Sequence, residues 1–128
     1  MILGIGLIGN LQLRQKLHEK IKKYFDIPII IHESAIIEST SKIKQGTQVF
    51  AGAIVGSHSS IGENCIINSN SVISHDCIIG NHTHITPSAT IAGNVIVGER
   101  VTIGMNASIY LNSKIPDDTI IKNNESFN

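Results

Sequence analysis

Large aliphatic residues recur along this chain at a strict spacing of six. From residue 31 to residue 121, every sixth position is isoleucine or valine, which makes sixteen positions in succession. Isoleucine and valine account for 32 of the 128 residues, so chance would fill only about four of these positions. The pattern therefore indicates an internal repeat of six residues. The positions are Ile31, Ile37, Ile43, Val49, Val55, Ile61, Ile67, Ile73, Ile79, Ile85, Ile91, Val97, Ile103, Ile109, Ile115 and Ile121.

Each unit has a second, small residue four positions after the aliphatic one. Several units also place glycine directly after the aliphatic residue, as at Gly56 and Gly80. β-branched residues suit a strand, while small residues and glycine suit a sharp bend. A spacing of six does not match the three-and-four spacing of an amphipathic helix. We therefore predict short strands joined by bends over residues 29–122. Three units make one eighteen-residue turn of a triangular parallel solenoid.

The two ends of the chain lie outside the repeat. We assign residues 1–28 to an N-terminal strand and helix, and residues 123–128 to a short frayed tail. The helix is predicted over residues 10–25, because Asn10 suits a cap and an apolar stripe of Leu13, Leu17 and Ile21 follows it. We expect its basic residues to face solvent: Arg14, Lys16, Lys20, Lys22 and Lys23.

Glycines near the N-terminus spell G-x-G-x-x-G at Gly4, Gly6 and Gly9. This motif marks a dinucleotide site only when a strand precedes it and an acidic residue follows about twenty positions later. Only three residues precede the motif, too few for a proper strand, and no second strand with such an acidic residue completes a βαβ unit, so the sequence favours a glycine-rich loop that leads into a packing helix.

Composition excludes several functions. The formal net charge is zero, so no basic surface argues for nucleic acid. No apolar stretch is long enough to span a membrane, and a signal peptide is not indicated. Cys65 and Cys77 both occupy small inward positions, two thirds of a turn apart on different faces. Buried free thiols of this kind are typical of a cytoplasmic protein.

Candidate chemistry is concentrated between residues 68 and 93. This segment holds His75, His82 and His84, and Asp76 follows His75 directly. A carboxylate beside an imidazole fixes its tautomer and raises its basicity, as a general base requires. For His18 and His32, in contrast, we expect simple solvent exposure.

The sequence here resembles a known family. The run SHDCIIG at residues 74–80, followed by His84 and by AGN at residues 92–94, is similar to the nucleotide-sugar acetyltransferases of bacterial glycan synthesis, the PglD/NeuD group. The resemblance covers roughly residues 4–110 and implies a left-handed β-helix. It also implies transfer of an acetyl group from acetyl-CoA to an amine or hydroxyl of a sugar or nucleotide-sugar, with no metal.

The resemblance assigns five site residues. His75 is implied to be the general base and Asp76 the residue that orients it. Asn68 and His84 match positions near the thioester and the acceptor, and Gly93 matches a backbone amide that faces the oxyanion. The family's N-terminal nucleotide-binding domain is represented here only by its last strand and helix, so we expect activity to be reduced.

Stacking of residues eighteen apart tests this assignment. Gly93 should lie one turn above His75, whereas His84 and Asn68 should lie together on another side of the triangle. One chain therefore does not bring all of them together. We predict a site between subunits, closed by three copies as a homotrimer.

Two other functions share this fold class. One is a non-catalytic trimeric scaffold or a truncated fragment. The other is a metal enzyme of the γ-carbonic anhydrase type, which holds its metal with three histidines across a subunit interface. His82 and His84 lie only two residues apart, which does not match the usual spacing of five in that family.

Overall fold

The computed structural model of the protein describes residues 11–128. One helix, α1 (Leu11–Ile21), precedes a series of two-residue strands at a spacing of six. The strands are β1 (Ile30–Ile31), β2 (Ile36–Ile37), β3 (Lys42–Ile43), β4 (Gln48–Val49), β5 (Ile54–Val55), β6 (Ser60–Ile61), β7 (Ile66–Ile67), β8 (Val72–Ile73), β9 (Ile78–Ile79), β10 (His84–Ile85), β11 (Thr90–Ile91), β12 (Ile96–Val97), β13 (Thr102–Ile103), β14 (Ser108–Ile109), β15 (Lys114–Ile115), β16 (Ile120–Ile121) and β17 (Ser126–Phe127).

Each strand pairs with the third strand after it along the chain, so the strands form three parallel sheets. Sheet A runs β1-β4-β7-β10-β13-β16, sheet B runs from β2 to β17 through β5, β8, β11 and β14, and sheet C runs β3-β6-β9-β12-β15. Each residue pairs with the one eighteen positions later, as Ile73 does with Ile91. The three sheets are the walls of a triangular left-handed parallel β-helix, so the predicted fold class is confirmed.

The repeating aliphatic residues form the core. Ile61, Ile67, Ile73, Ile85 and Ile91 all have no exposed surface, and the small inward positions fill the space between them. Cys65 and Cys77 are among those small residues, and both are buried free thiols as expected. Burial of each large aliphatic side chain stabilises the fold by about 1.5–3 kcal/mol.

Corners between the sheets contain a regular left-handed residue. From residue 46 onwards, the second residue of each corner has φ between 54° and 73°, and asparagine is the residue found there most often. Three rows of corners result, which we call B–C, C–A and A–B after the sheets that they join. The B–C corners are residues 39–40, 57–58, 75–76, 93–94 and 111–112. The C–A corners are 45–46, 63–64, 81–82, 99–100 and 117–118. The A–B corners are 33–34, 51–52, 69–70, 87–88, 105–106 and 123–124.

Helix α1 packs differently from the prediction. It ends at Ile21 rather than near residue 25, and the residues that it buries are Leu11, Arg14 and His18, while Leu13 is 45% exposed. The predicted apolar stripe and the predicted solvent exposure of Arg14 and His18 are therefore wrong. The solenoid surface beneath the helix is polar, so the helix turns polar side chains towards it.

The C-terminal end of the chain continues the coil. Residues 123–128 were expected to be a frayed tail, but Ser126–Phe127 pairs with Ser108–Ile109 as strand β17. Phe127 stands six residues after Ile121 and packs against the core. An aromatic residue thus takes the inward place that isoleucine or valine holds elsewhere.

Residues 1–10, which include Asn10 and the motif at Gly4, Gly6 and Gly9, lie outside the described part of the chain. Within the described part, no helix combines the length and hydrophobicity that a membrane span requires.

Candidate active site

His75 and Asp76 form a hydrogen-bonded pair at a B–C corner. Their Nδ1 and Oδ2 atoms are 2.8 Å apart, and both side chains are more than half exposed. Asp76 has a left-handed backbone (φ 57°) and its N–H donates to the carbonyl of Ser57, which fixes the corner. Because a carboxylate accepts hydrogen bonds, the neutral imidazole carries its proton on Nδ1. Nε2 is then the basic nitrogen.

Gly93 lies directly beside that ring, one turn along the coil. A Cβ atom at Gly93 would stand 2.5 Å from Cε1 and 2.6 Å from Nε2 of His75. Ordinary carbon contacts are about 3.5–4.0 Å, so only glycine leaves the ring this position. The N–H of Asn94 donates to the carbonyl of His75 and joins the two corners. The predicted stacking of His75 and Gly93 is confirmed.

The backbone N–H of Gly93 has no hydrogen-bond acceptor among residues 11–128. The equivalent N–H groups of Glu63 and Glu99, on the C–A corners, donate to the side chains of Asn81 and Asp117, eighteen residues further on. The residue eighteen positions after Gly93 is Leu111, whose side chain has no hydrogen-bond acceptor. The sequence thus leaves one N–H donor uncapped beside His75 Nε2.

Asn68 and His84 form a second pair. Asn68 Nδ2 lies 3.2 Å from His84 Nε2, and its Oδ1 accepts from the N–H of Ser69, which fixes the orientation of the amide. The amide therefore donates to Nε2 of His84, so this imidazole carries its proton on Nδ1. His84 is buried on β10 between Ile66 and Thr102.

The two pairs are on opposite parts of the triangle. His84 lies on the outer surface of sheet A, whereas His75 and Gly93 lie on the B–C corners, which are opposite that sheet. Asn68 accompanies His84, as predicted. Within one chain the four residues do not converge, which is the arrangement that the eighteen-residue stacking predicted.

One groove adjoins His75, and a second lies further along sheet A than His84. One of about 410 Å³ extends from His75 towards the N-terminal turns, past Ser57 and Ile54 to Glu38. Another, of about 290 Å³ and largely apolar, lies beyond His84 along sheet A and includes Thr102 and Met105. Sequence analysis did not identify Glu38 or Ser57. Their signal is positional, because they precede Ser74 and His75 by thirty-six and eighteen residues.

The remaining histidines contribute to neither pair. His82 is buried at a C–A corner, where Nδ1 is 2.9 Å from Asn64 Nδ2, while His32 is exposed as expected. In the described part of the chain, no three histidine, cysteine, aspartate or glutamate side chains are grouped as metal ligands.

Comparison with known proteins gives a consistent result. The chain superimposes on a perosamine N-acetyltransferase from Caulobacter crescentus with a TM-score of 0.90 at 35% identity. That structure is of a variant in which one histidine is replaced by asparagine, in complex with CoA and GDP-perosamine. The match covers 93% of this chain and 57% of that one. The acetyltransferase domain of PglB from Neisseria gonorrhoeae FA1090 gives a TM-score of 0.92 at 27% identity, over 94% of this chain and 60% of that one.

The chain thus spans less than two thirds of the length of these structural relatives. No curated protein sequence matches it. The model of the bacterial transferase hexapeptide family (six repeats) matches residues 40–75, 58–93 and 76–111, which together cover more than half of the chain. With the same repeat, the same left-handed coil and acetyltransferases as its structural relatives, the chain belongs to the bacterial hexapeptide transferase family.

Proposed function

We propose that the protein transfers an acetyl group from acetyl-CoA to an amine or hydroxyl of a sugar or nucleotide-sugar. The observation that carries this proposal is the free N–H of Gly93 beside the basic Nε2 of His75, which Asp76 orients from the other side of the ring. Acyl transfer requires a base and an oxyanion donor near each other, and these two groups lie on adjacent turns. Structural relatives solved with CoA and GDP-perosamine support the choice of substrates.

The reaction assigns each group one role. His75 Nε2 takes a proton from the neutral amine or the hydroxyl as that atom attacks the thioester carbonyl carbon. The carbonyl oxygen gains negative charge and accepts a hydrogen bond from the N–H of Gly93. When the intermediate collapses, the carbon–sulfur bond breaks, and the imidazolium returns its proton to the CoA thiolate. Asp76 stabilises the imidazolium throughout.

The two grooves suggest where the substrates lie. The groove beside His75 opens towards the N-terminal turns and would receive the acceptor, with the carboxylate of Glu38 at its far end. The apolar groove beyond His84 would receive the pantetheine arm of acetyl-CoA. Because His75 and His84 are on opposite parts of the triangle, this requires the B–C corner of one subunit to face sheet A of the next. We therefore propose a homotrimer with three shared sites.

Exposed apolar residues support a neighbour at the B–C corner. Ile78 and Ile96, adjacent on the outer surface of sheet C, are 52% and 39% exposed, and Leu111 above Gly93 is 56% exposed. Contact with a second copy would bury them. We further propose a cytoplasmic location, where buried thiols such as Cys65 and Cys77 remain reduced.

A thioester-cleavage assay tests the proposal. Purified protein is mixed with acetyl-CoA and a panel of amino-sugars, their hydroxyl analogues and their nucleoside-diphosphate conjugates, and released thiol is measured. Cys65 and Cys77 are fully buried in the folded protein and add no background to this assay. We expect thiol release that depends on the acceptor and falls by about 10²–10⁴-fold in His75→Ala.

His32→Ala is the control, because this exposed histidine belongs to neither pair. It should retain the wild-type rate. Absence of thiol release with every acceptor, or an undiminished rate in His75→Ala, would contradict the proposed function.

A further inference from the structure

Helix α1 is attached to the solenoid through a polar, buried contact. It lies against three consecutive C–A corners, where Arg14 Nε donates to the carbonyl of Asn64 (3.3 Å) and Lys22 Nζ lies 3.5 Å from Glu63 Oε2. Arg14 is 1% exposed and Asn64 is equally buried. The attachment therefore depends on polar and ionisable groups rather than on an apolar stripe.

His18 is at the centre of this contact and has no exposed surface. Its ring fits against Gly46, where a Cβ would stand 2.7 Å from Cε1. Within residues 11–128, neither ring nitrogen is hydrogen-bonded, and Glu63 Oε2 is 3.5 Å from Nε2. A protonated imidazole has two N–H donors; Glu63 lies close enough to pair with Nε2, but the N–H at Nδ1 would stay unpaired in a buried site, which is unfavourable.

His82 lies against His18 from the C–A corner two turns beyond Gly46. The ring centroids are 5.6 Å apart at an interplanar angle of 71°, and His82 is 4% exposed. Protonation of both rings would therefore place two positive charges at this separation in a site that is shielded from water. Like charges so close together repel each other more strongly there than in solvent.

Some of the charged groups around the two rings raise the pKa of the histidines, and others lower it. Glu63, Glu19 and His82 face His18, with Lys22 just after the end of the helix, while Glu19, Glu99 and Arg100 are near His82. The carboxylates favour the charged imidazoles, and Lys22 and Arg100 oppose them. Burial is the largest influence and lowers the pKa of both histidines below the ordinary 6.5.

The direction of the effect follows from linkage. Because the docked helix holds both histidines with lowered pKa values, the released helix binds more protons in acid. Docking is then fully favourable above pH 6.5 and weakens as the pH falls below that value. Lys22 lowers the pKa of Glu19, and Glu19 raises that of Lys22, so both stay charged over this range.

We propose that His18 and His82 form a proton-sensitive latch, which holds helix α1 on the C–A corners when both are neutral and releases it in mild acid. This inference is independent of the acetyl-transfer proposal, because neither histidine belongs to the two pairs described above.

Hydrogen exchange of the intact protein, measured by mass spectrometry at pH 7.5 and 5.5, tests the latch. Rates are corrected for the intrinsic pH dependence of exchange, and peptides from residues 84–110 report on the solenoid. One excluded proton changes an equilibrium by at most about tenfold per pH unit. We expect opening of residues 11–21 to rise by about tenfold or more at the lower pH, with the solenoid unchanged.

Two variants separate the latch from a general acid effect. His82→Asn removes one titrating ring and keeps a residue type that suits a left-handed corner. It should roughly halve the change in the logarithm of helix opening between the two pH values. Adding His18→Phe to this variant should abolish that change. His58→Asn is the matched control, because His58 is also left-handed (φ 58°) but exposed; it should retain the full response.

Equal opening at the two pH values in the wild type would overturn the proposal. So would a full pH response in His82→Asn with His18→Phe, provided that its solenoid peptides remain protected.

Discussion

The contact between Gly93 and His75 makes a single methyl group a sharp probe of the proposed active site. Gly93 does not have the left-handed backbone of the corner residues, so alanine there meets no backbone strain. Its Cβ would instead stand 2.5 Å from Cε1 and 2.6 Å from Nε2 of His75. To reach ordinary contact distances, the imidazole must move by about 1 Å.

Such a displacement has a predictable effect. Misplacement of a catalytic group by about 1 Å can reduce the rate by about 100-fold. The His75 side chain is 56% exposed, so it can swing outwards without disturbing the core, and the melting temperature should remain unchanged. We therefore expect Gly93→Ala to lower kcat/KM by about 100-fold in the thioester-cleavage assay while the fold stays intact.

A double-mutant cycle identifies the cause. If alanine at position 93 acts by displacing His75, it should have little further effect in a His75→Ala background. Full additivity of the two losses, or wild-type activity of Gly93→Ala, would refute the assignment of this corner as the reaction centre.

Three further predictions follow from individual contacts. Asp76→Asn keeps a residue type that suits the left-handed backbone at φ 57° but removes the negative charge 2.8 Å from His75 Nδ1. It should lower kcat by about 10–100-fold, and an unchanged pH–rate profile would exclude the orienting role of Asp76. Glu38→Gln should raise KM for the acceptor up to about fivefold, with no change in Glu33→Gln. Phe127→Ala should destabilise the protein by about 2 kcal/mol in thermal unfolding, because this ring is partly buried against the last turn; no change would mean that β17 is not part of the stable coil.

The fold could be predicted from the sequence because its periodicity is strict. A six-residue repeat with three units per turn fixes which residues stack, namely those eighteen positions apart. The stacking of Gly93 on His75 and the grouping of Asn68 with His84 both follow from this register. Handedness was not contained in that pattern and came from the resemblance to known acetyltransferases.

Errors occurred where the residue type departed from the rule that was applied. Phe127 holds an inward place, but a search for isoleucine and valine ends at Ile121. His18 and Arg14 were expected on the surface because helix burial was judged from apolar residues alone, whereas the surface beneath α1 offers Asn64 and Glu63 as partners.

Other features depend on what side chains leave open. The groove that ends at Glu38 exists because Gly56 has no side chain between Glu38 and Ser74, and the free N–H of Gly93 exists because Leu111 cannot cap it. Both follow from comparing residues eighteen apart, which sequence analysis did for histidines but not for every corner.

Complementation between inactive subunits tests most directly whether acetyl transfer occurs at a site shared by neighbouring copies. His75→Ala and His84→Ala chains are unfolded, mixed in equal amounts and refolded, and each is also refolded alone. In a randomly mixed trimer, one interface in four combines an intact His75 with an intact His84, so about a quarter of the wild-type rate should return. A mixture no more active than its two parents would contradict a shared site.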